Sequence, residues 1–314
     1  MDSTGTIWMP PGASTIASDI DNLFYFVFYI SLALFVIVTA ASIYLPIRYR
    51  RKGKRELTTS VAHNIPLELT WTIIPTIIVF VIFAWGFTDF LKMQVAPKDA
   101  MEIKVTGQKW FWSFEYPDEG VVEVNVLRVP VNKPVQLLMS SQDVIHSFFV
   151  PAFRVKMDVL PNRYTSIWFE ANQTGEFDLT CTEYCGTDHS TMVGKVIVME
   201  PDMYQNWLEG AAERAFNLSL EDYGQELYTS KACATCHSLD GTTGNGPTWQ
   251  GLFGSQEKLT DGSTVTVDEN YIRESILTPG ARITAGYLNV MPSYQGTLKD
   301  REIDAIIAYI KTLK

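Results

Sequence analysis

Two long runs without a charged residue constrain this chain more than any other feature of its sequence. The first is LFYFVFYISLALFVIVTAASIYL, residues 23–45, and the second is WTIIPTIIVFVIFAWGFT, residues 71–88. A helix of about 20 apolar residues crosses the hydrocarbon core of a bilayer. Two buried helices of a soluble protein are the alternative, but uncharged runs of this length are rare in soluble cores. The sequence therefore predicts a transmembrane hairpin within residues 1–92, with spans at about 23–45 and 71–91.

The charges beside these runs predict how the hairpin lies in the membrane. Six Lys or Arg residues fall between Arg48 and Arg55, in the segment that joins the runs. Short loops rich in Lys and Arg stay in the cytoplasm, so we expect the N-terminus and everything after residue 92 on the outer face. The N-terminal segment is acidic, its apolar run is long and no small-residue cleavage site follows it. This favours a retained anchor over a secretory signal peptide.

Length and net charge bound the number of domains and exclude one class of partner. The chain has 314 residues, of which 46% are hydrophobic, and this is enough for two or three domains. Its formal net charge at pH 7 is -10. Nucleic acids are bound by basic patches, so nucleic acid is not an expected partner.

Residues 93–200 have the pattern of a β-domain. In the stretch MEIKVTGQKWFWSFEY the aromatic residues alternate with other residues. A strand would place Trp110, Trp112, Phe114 and Tyr116 on one of its sides. Further short apolar stretches follow, separated by Gly, Pro and Asn turn signals. Many short strands at this spacing predict a β-sandwich or a small barrel.

One turn-rich stretch, TCTEYCGTDHSTM, gathers soft metal ligands. The residues at the spacing C-x3-C-x3-H-x2-M are Cys181, Cys185, His189 and Met192. His146, in DVIHSFF, offers a second imidazole from a strand end upstream. Thiolate, imidazole and thioether groups select copper or zinc over calcium or magnesium.

Two alternatives compete with copper at this stretch. A disulfide between the two cysteines is plausible on an oxidising outer face, and a Cys2His2 zinc site has the right number of ligands. The methionine favours copper, for which thioether is a good ligand, because structural zinc does not need it. Two cysteines can also bridge two copper ions, whereas a single blue copper centre needs one.

The pentapeptide CATCH holds the other two of the four cysteines and is the attachment signature of a c-type haem. In this interpretation Cys233 and Cys236 form thioethers and His237 binds the iron. A thioredoxin-like redox pair is the alternative, but no βαβ pattern surrounds the motif. The opposite iron ligand should be a downstream Met or His. Met291 is the candidate, because no histidine follows His237.

The haem motif belongs to a third predicted unit, residues 219–314. Residues 201–218 read as a helix followed by a tether, and we assign them as a linker. Ser219 and the acidic residues after it are a helix start signal. The last predicted helix is amphipathic, with its apolar positions at Ile303, Ile306, Ile307 and Ile310.

Together these motifs resemble a known family. Most of residues 20–210 is similar to cytochrome c oxidase subunit II with its binuclear CuA centre. The similarity includes the two apolar runs, KWFWSFEY, DVIHSFFVP and the loop C-x-E-x-C-x3-H-x2-M. Residues 219–314 resemble a class I cytochrome c, and a subunit II fused to a cytochrome c is similar to the caa3-type haem-copper oxidases. The resemblance implies a multidomain membrane protein with a two-helix transmembrane hairpin, a cupredoxin-like β-barrel and an all-α cytochrome c domain.

The resemblance also implies the copper ligands. They are the bridging Cys181 and Cys185, the terminal His146 and His189, the weak ligand Met192 and the backbone carbonyl of Glu183. The Glu183 carboxylate resembles one that reaches a magnesium ion at the boundary with subunit I. The alternative for this carboxylate is an ordinary solvated acid in a loop.

Two further residues have roles that the resemblance implies. Trp110 resembles the tryptophan through which family members accept electrons from a docked cytochrome, and a buried strand aromatic is its alternative. Glu68 resembles a glutamate near the inner mouth of a proton pathway. A glutamate in the first turn of a helix also stabilises the helix dipole, which is the alternative for Glu68.

The function implied is that of subunit II of a proton-pumping terminal oxidase in a bacterial cell membrane, with its copper and cytochrome domains on the outer or periplasmic face. Electrons would pass from an external donor to the haem, then to the CuA centre and then to subunit I. The donor would be a cytochrome c, another small redox protein or a quinol-oxidising complex. A fused cytochrome raises the effective concentration of the haem at the copper site. The implied partners are subunit I, subunit III and the lipid bilayer.

The histidine count predicts that the oxygen-reducing site lies in another chain. The four histidines are His63, His146, His189 and His237. Three are assigned above, and a haem-copper oxygen site needs several more. Two alternative functions remain at this stage: a CuA and haem c subunit of a nitric oxide reductase, and a non-redox membrane scaffold with a disulfide and a zinc site.

Overall fold

The computed structural model describes residues 5–51, 63–117 and 121–314. The predicted basic loop lies mostly outside the described residues, because only its beginning, Arg48 to Arg51, belongs to them.

Two helices at the N-terminal end are apolar around their whole circumference. Helix α1 spans Ala17–Arg48 and helix α2 spans Ile65–Gln94. Within the described ranges these two helices are long and apolar enough to cross a membrane. Most of their large apolar side chains are exposed to the surroundings, as expected of helices that are solvated by lipid. Both extend several residues beyond the spans predicted from the uncharged runs.

The hairpin is attached to the domain that follows it. Lys92, in the last turn of α2, forms an ion pair of 2.7 Å with Asp19 in the first turn of α1. Arg154 of the following domain donates to both carboxylate oxygens of Asp21, at 2.7 and 3.0 Å. Ser14, before α1, forms a β-bridge with Ala171. These contacts tie the N-terminal end of α1 and the C-terminal end of α2 to the next unit.

Ten strands form the unit that follows, which we call the β-domain (residues 101–199). They are β1 Met101–Gln108, β2 Phe111–Tyr116, β3 Val121–Val124, β4 Val126–Pro130, β5 Pro134–Ser141, β6 His146–Val150, β7 Val155–Val159, β8 Thr165–Glu170, β9 Gly175–Cys181 and β10 Val193–Met199.

These strands form two five-stranded sheets that enclose one apolar core. The strand orders are β3-β2-β1-β5-β8 and β4-β10-β9-β6-β7. The pairs β1–β5 and β4–β10 are parallel, and the other pairs are antiparallel. Burial alternates along β5, as a period of two requires. The largest aromatic side chains that are fully buried in this core are Trp112, Tyr116, Phe114, Phe148, Phe153 and Phe169.

Strand β2 departs from the predicted alternation in two ways. Trp110 lies in the turn before the strand, one residue outside β2, although it is buried in the same core cluster as Trp112, Phe114 and Tyr116. The predicted strand was therefore one residue too long at its beginning, because a period of two does not show where a turn ends. Phe111, on the opposite face, is also buried. A strand that is buried on both faces needs a partner on its outer side.

The segment predicted as a linker contains helix α3, Pro201–Asn217. Tyr204 and Leu208 are buried in the core of the β-domain. The ring of Trp207 meets Tyr116 edge-on at 5.2 Å, and the guanidinium of Arg128 lies over the Trp207 ring. The N-terminal half of α3 is therefore part of the β-domain surface.

The C-terminal domain (residues 219–314) is built on three helices: α4 Leu220–Ser230, α5 Glu269–Leu277 and α6 Asp300–Thr312. Ser219 caps α4 by accepting a hydrogen bond from the Asp222 amide. Helices α4 and α6 cross so closely that a Cβ at Gly224 would lie 2.1 Å from the Ala305 carbonyl oxygen. The domain also contains a short hairpin, Gln256–Lys258 with Thr264–Thr266, which the expectation of an all-α domain did not include.

Candidate metal centre and haem cavity

The predicted metal ligands meet at one end of the β-domain. Cys181 is the last residue of β9, and the loop from there to β10 carries Cys185, His189 and Met192. The amide of Cys181 donates to the Met192 carbonyl at 3.2 Å, which closes the loop at its base. His146 begins β6, the neighbour of β9 in the same sheet. Sheet pairing therefore brings the distant histidine to the loop.

The ligand atoms of these residues lie close together. Those of His146, Cys181 and Cys185 are all within 4.8 Å of one another. The two Sγ atoms are 3.9 Å apart, and both cysteines are free. The Cys185 Sγ lies 3.4 Å from Nδ1 of His189 and 3.8 Å from Sδ of Met192. The structure thus contains a compact set of soft ligand atoms without a disulfide.

The geometry of His146 fits a metal ligand. The side chain is completely buried, and its Nε2 is 2.8 Å from Oδ1 of Asp143. Within the described part of the chain its Nδ1 is buried without a hydrogen-bond partner. A ligating histidine usually gives one ring nitrogen to a carboxylate or carbonyl and the other to the metal. Gly107 leaves room for the ring, because a Cβ there would lie 3.0 Å from Cδ2 of His146.

The two thiols have different acidities. Burial opposes ionisation of Cys181, but the neighbouring His146 imidazole and backbone hydrogen bonds outweigh it and lower the pKa of this thiol to about 6. Burial and the neighbouring negative charge of Cys181 raise the pKa of Cys185 to about 12. Without a cation between them the two sulfur atoms do not ionise together. A metal ion that binds both thiolates would supply the missing positive charge.

The four residues predicted to hold a haem line one cavity in the C-terminal domain. The walls of this cavity, which include Cys233, Cys236, His237 and Met291, are mostly apolar. Cys233 begins a single 3-10 turn, and its carbonyl accepts from the His237 amide at 2.9 Å. This turn brings both thiols and the imidazole of the CATCH motif to the same wall. The cavity fits a large apolar group that is held at two sulfur atoms.

His237 is held in the orientation that an iron ligand needs. Its Nδ1 donates to the Pro247 carbonyl at 2.7 Å, which leaves the lone pair on Nε2. Burial lowers the pKa of this imidazole and keeps it neutral. Gly246 packs directly on the ring, because a Cβ at this position would lie 2.6 Å from Cε1 of His237.

Trp110 lies between the cavity and the loop of residues 182–192, which we call the metal-ligand loop. It lines the cavity together with Lys109 and Phe111, although all three belong to the β-domain. A Cβ at Gly186, in the metal-ligand loop, would lie 3.2 Å from Nε1 of Trp110. The same loop contacts the cavity wall directly, since the Asn245 side chain donates to the Asp188 carboxylate. One buried indole therefore contacts both candidate sites.

Comparison with known proteins assigns the family. The chain matches the transmembrane domain of cytochrome c oxidase subunit II over residues 3–88, the periplasmic domain of that subunit over residues 121–200 and cytochrome c over residues 221–314. It is 33% identical over 306 residues to cytochrome c oxidase subunit 2 of Alkalihalophilus pseudofirmus, covering 94% of this chain and 86% of that protein. The chain belongs to the cytochrome c oxidase subunit II family.

Other relatives match a smaller part of the chain. Cytochrome c oxidase subunit 2 of Cereibacter sphaeroides is 33% identical over 247 residues, covering 67% of this chain and 81% of that protein. The solved periplasmic domain of subunit II of cytochrome oxidase of Bradyrhizobium japonicum is 38% identical and covers 38% of this chain and 99% of that domain, with a TM-score of 0.37.

The family assignment confirms the predicted architecture. This subunit II has a membrane hairpin, a cupredoxin-like β-domain and a C-terminal cytochrome c domain, as caa3-type subunits II do. The matched domains indicate copper in the β-domain and haem c in the C-terminal domain. As a subunit II, the chain associates with other oxidase subunits and serves electron transfer in a terminal oxidase.

One of the two glutamates singled out in the sequence belongs to the loop that carries the metal ligands, and the other lies at the beginning of α2. The Glu183 side chain is exposed, while its carbonyl oxygen is 3.3 Å from Sγ of Cys181. Glu68 lies in the first turn of α2, where its Oε1 accepts from the Asn64 amide at 3.0 Å and lies 3.7 Å from Nδ1 of His63. In this subunit II, Glu68 therefore stabilises the beginning of α2.

Sequence reasoning missed three residues that shape these sites. Asp143 carries a usable signal, since it precedes His146 by three residues and ligating histidines commonly pair with carboxylates. Gly246 carries a weaker one, as one of several glycines after the CATCH motif. Phe111 carries none, because its burial depends on a domain that lies far away in the sequence.

Proposed function

We propose that this subunit II passes electrons from an external donor through a covalent haem c to a binuclear CuA centre, and on to the oxygen-reducing site of subunit I in a proton-pumping oxidase. Cys233, Cys236, His237 and Met291 would hold the haem. The copper ligands would be Cys181, Cys185, His146, His189, Met192 and the Glu183 carbonyl. When bound, each group accepts and releases one electron.

One observation carries this proposal: Trp110 contacts the metal-ligand loop and lines the haem cavity at the same time. The indole is 6% exposed, so it is shielded from water. In this chain Trp110 would serve the fused cytochrome domain. A soluble cytochrome cannot reach it while the C-terminal domain occupies this position.

The remaining parts of the proposal concern the partners. The exposed Glu183 carboxylate is free to reach a magnesium ion at the boundary with subunit I, and the exposed apolar faces of α1 and α2 suit contact with subunits I and III and with lipid. The hairpin would place both outer domains on the periplasmic face of a bacterial cell membrane. Glu68, at the opposite end of α2, would lie near the cytoplasmic surface, where the proton pathway of the partner begins.

Metal and haem analysis of the purified chain tests this proposal. We expect two copper ions per haem, with an electron paramagnetic resonance signal in which two coppers share one unpaired electron. Cys181→Ser should abolish that signal and leave the haem content unchanged. Zinc in place of copper, or a bond between the two cysteine sulfurs, would contradict the proposal. Oxygen rather than nitric oxide consumption by the intact complex distinguishes an oxidase from a nitric oxide reductase.

A further inference from the structure

The outer face of β2 is covered by the C-terminal domain. Phe111 is 5% exposed, and it packs within the apolar cluster of that domain rather than within the core of its own domain. Its ring lies parallel to the ring of Tyr294, with centroids 6.3 Å apart and an interplanar angle of 3°. Val124, at the end of β3, belongs to the same cluster. Without the C-terminal domain these side chains would form an apolar patch open to water.

A buried lysine connects the same two domains. Lys231 is 4% exposed, and lysine is almost never buried to this extent without a partner. Its Nζ lies 3.1 Å from Oε1 of Glu302, within its own domain. The same Nζ is 3.4 Å from the carbonyl oxygen of Val122, in strand β3 of the β-domain. One ammonium group therefore bridges the boundary between the domains.

The C-terminal domain fixes this ammonium group by itself. The Tyr294 hydroxyl donates to the Lys231 carbonyl at 2.8 Å. Glu302 accepts from the Lys299 amide at 2.8 Å, and the Tyr223 hydroxyl lies 3.4 Å from its other oxygen. The lysine is thus preorganised by its own domain. Docking adds the Val122 carbonyl as a contact of Lys231 and the Phe111 ring as a contact of Tyr294. Little conformational freedom remains to be lost when the domains meet.

We propose that Phe111, Lys231 and Tyr294 form an interdomain latch, which seats the cytochrome domain on the β-domain. The proposal rests on the proposed function, because it makes these three side chains positioning residues for electron transfer. Phe111 follows Trp110 in the chain, and Lys231 precedes Cys233 by two residues. The latch therefore holds the CATCH segment, to which the haem would be attached, near Trp110. The Trp110 indole in turn contacts the metal-ligand loop.

The latch can be tested with a charge-balanced double variant of the full-length chain in the intact complex. Lys231→Met with Glu302→Gln removes both charges together, so that no carboxylate is left buried without a partner. The matched control is Lys311→Met with Glu269→Gln, which removes an ion pair of 2.6 Å between side chains 40% and 52% exposed in the same domain. Phe111→Ala tests the latch from the side of the β-domain.

Two measurements decide the outcome. Amide hydrogen exchange reports on the edge strand, residues 121–124, and rapid-reaction spectroscopy reports on electron transfer from haem to copper. For the latch variants we expect exchange in this segment to be at least tenfold faster and transfer at least tenfold slower, with unchanged haem and copper content. The control should match the unmodified chain in both measurements.

Equal exchange and equal transfer rates in the double variant, in Phe111→Ala and in the control would overturn the latch. If Lys231→Met alone prevents folding, the double variant still supplies the comparison. Absence of copper from the unmodified chain would instead contradict the proposed function. The exchange measurement distinguishes these cases, because it reads the contact between the domains whether or not copper is present.

Discussion

At the scale of single residues, each candidate site depends on a hydrogen bond that orients an imidazole. Asp143 occupies one nitrogen of His146, and the Pro247 carbonyl occupies one nitrogen of His237. Each ring therefore presents its other nitrogen in a fixed tautomer before any metal arrives. The sequence shows which residues are ligands, but the partners that orient them become visible only in the folded chain.

Asp143→Ala should weaken copper binding without removing a ligand. The His146 ring would lose the hydrogen bond that sets its tautomer, and loss of such a partner typically lowers metal affinity by about 10- to 100-fold. Copper retention against a competing chelator measures the effect. Asp178→Ala is the matched control, because Asp178 is exposed and pairs with Lys195 at the surface of the same domain. Equal copper retention in the two variants would show that Asp143 does not support the site.

Gly246→Ala should displace His237 from its position in the haem cavity. The added Cβ would lie 2.6 Å from Cε1 of the ring, which is closer than nonbonded atoms approach. Such overpacking destabilises a domain by about 1–3 kcal/mol. Thermal unfolding and the haem absorption spectrum measure the change. In Gly280→Ala the nearest atom would be the Asn289 side-chain nitrogen at 3.2 Å, so this control should change neither. An unaltered spectrum in Gly246→Ala would contradict this description of the cavity.

At the scale of elements, helix α3 decides how far the cytochrome domain can move. Its N-terminal half packs on the β-domain through Tyr204, Trp207 and Leu208. Helix α4 begins at Leu220, so two residues separate the end of α3 at Asn217 from the beginning of α4. A packed helix followed by so short a connection limits how far the C-terminal domain can move away from the β-domain.

Leu208→Ala should loosen α3 from the β-domain. Truncation of a buried leucine typically costs about 2–5 kcal/mol of unfolding free energy. Denaturant unfolding followed by tryptophan fluorescence measures the loss, since Trp207 lies on the same face of the helix. Met203→Ala is the control, because Met203 is 58% exposed on α3 and should cost less than about 0.5 kcal/mol. An equal midpoint for both variants would mean that α3 is not part of the β-domain.

The sequence predicted the elements better than the contacts between them. Uncharged runs, alternating strands and the spacing of cysteines and histidines are local patterns, and each led to the correct kind of unit. Local patterns did not show that Phe111 is covered, because its neighbour Tyr294 is far away in the chain. The same limit explains Trp110, whose place before β2 depends on where a turn ends.

At the scale of the whole molecule, the cytochrome domain lies on the β-domain in a fixed position. The contacts between them are an aromatic pair, a buried ammonium group and an amide that donates to Asp188. Docking between separate redox proteins commonly depends on attraction between exposed charges, and dissolved salt weakens that attraction. The contact between the C-terminal domain and the β-domain depends mainly on buried groups, and salt weakens their interactions much less.

Electron transfer between haem and copper should therefore be insensitive to ionic strength. We expect the rate within the intact complex to change less than twofold between low and high salt, while reduction of the haem by an external protein donor changes much more. Rapid mixing at several salt concentrations measures both rates on one sample. A tenfold fall in the internal rate at high salt would contradict a buried contact between the domains.

The most direct test of electron transfer from haem to copper follows one electron through the full-length protein. The haem is reduced rapidly while the copper centre is oxidised, and the absorbance of both groups is recorded as the protein is diluted. If the electron passes from haem to copper within one chain, haem oxidation and copper reduction occur at the same rate, in equal amounts and independently of protein concentration. A rate that falls with dilution, or haem oxidation without copper reduction, would contradict transfer within a single chain.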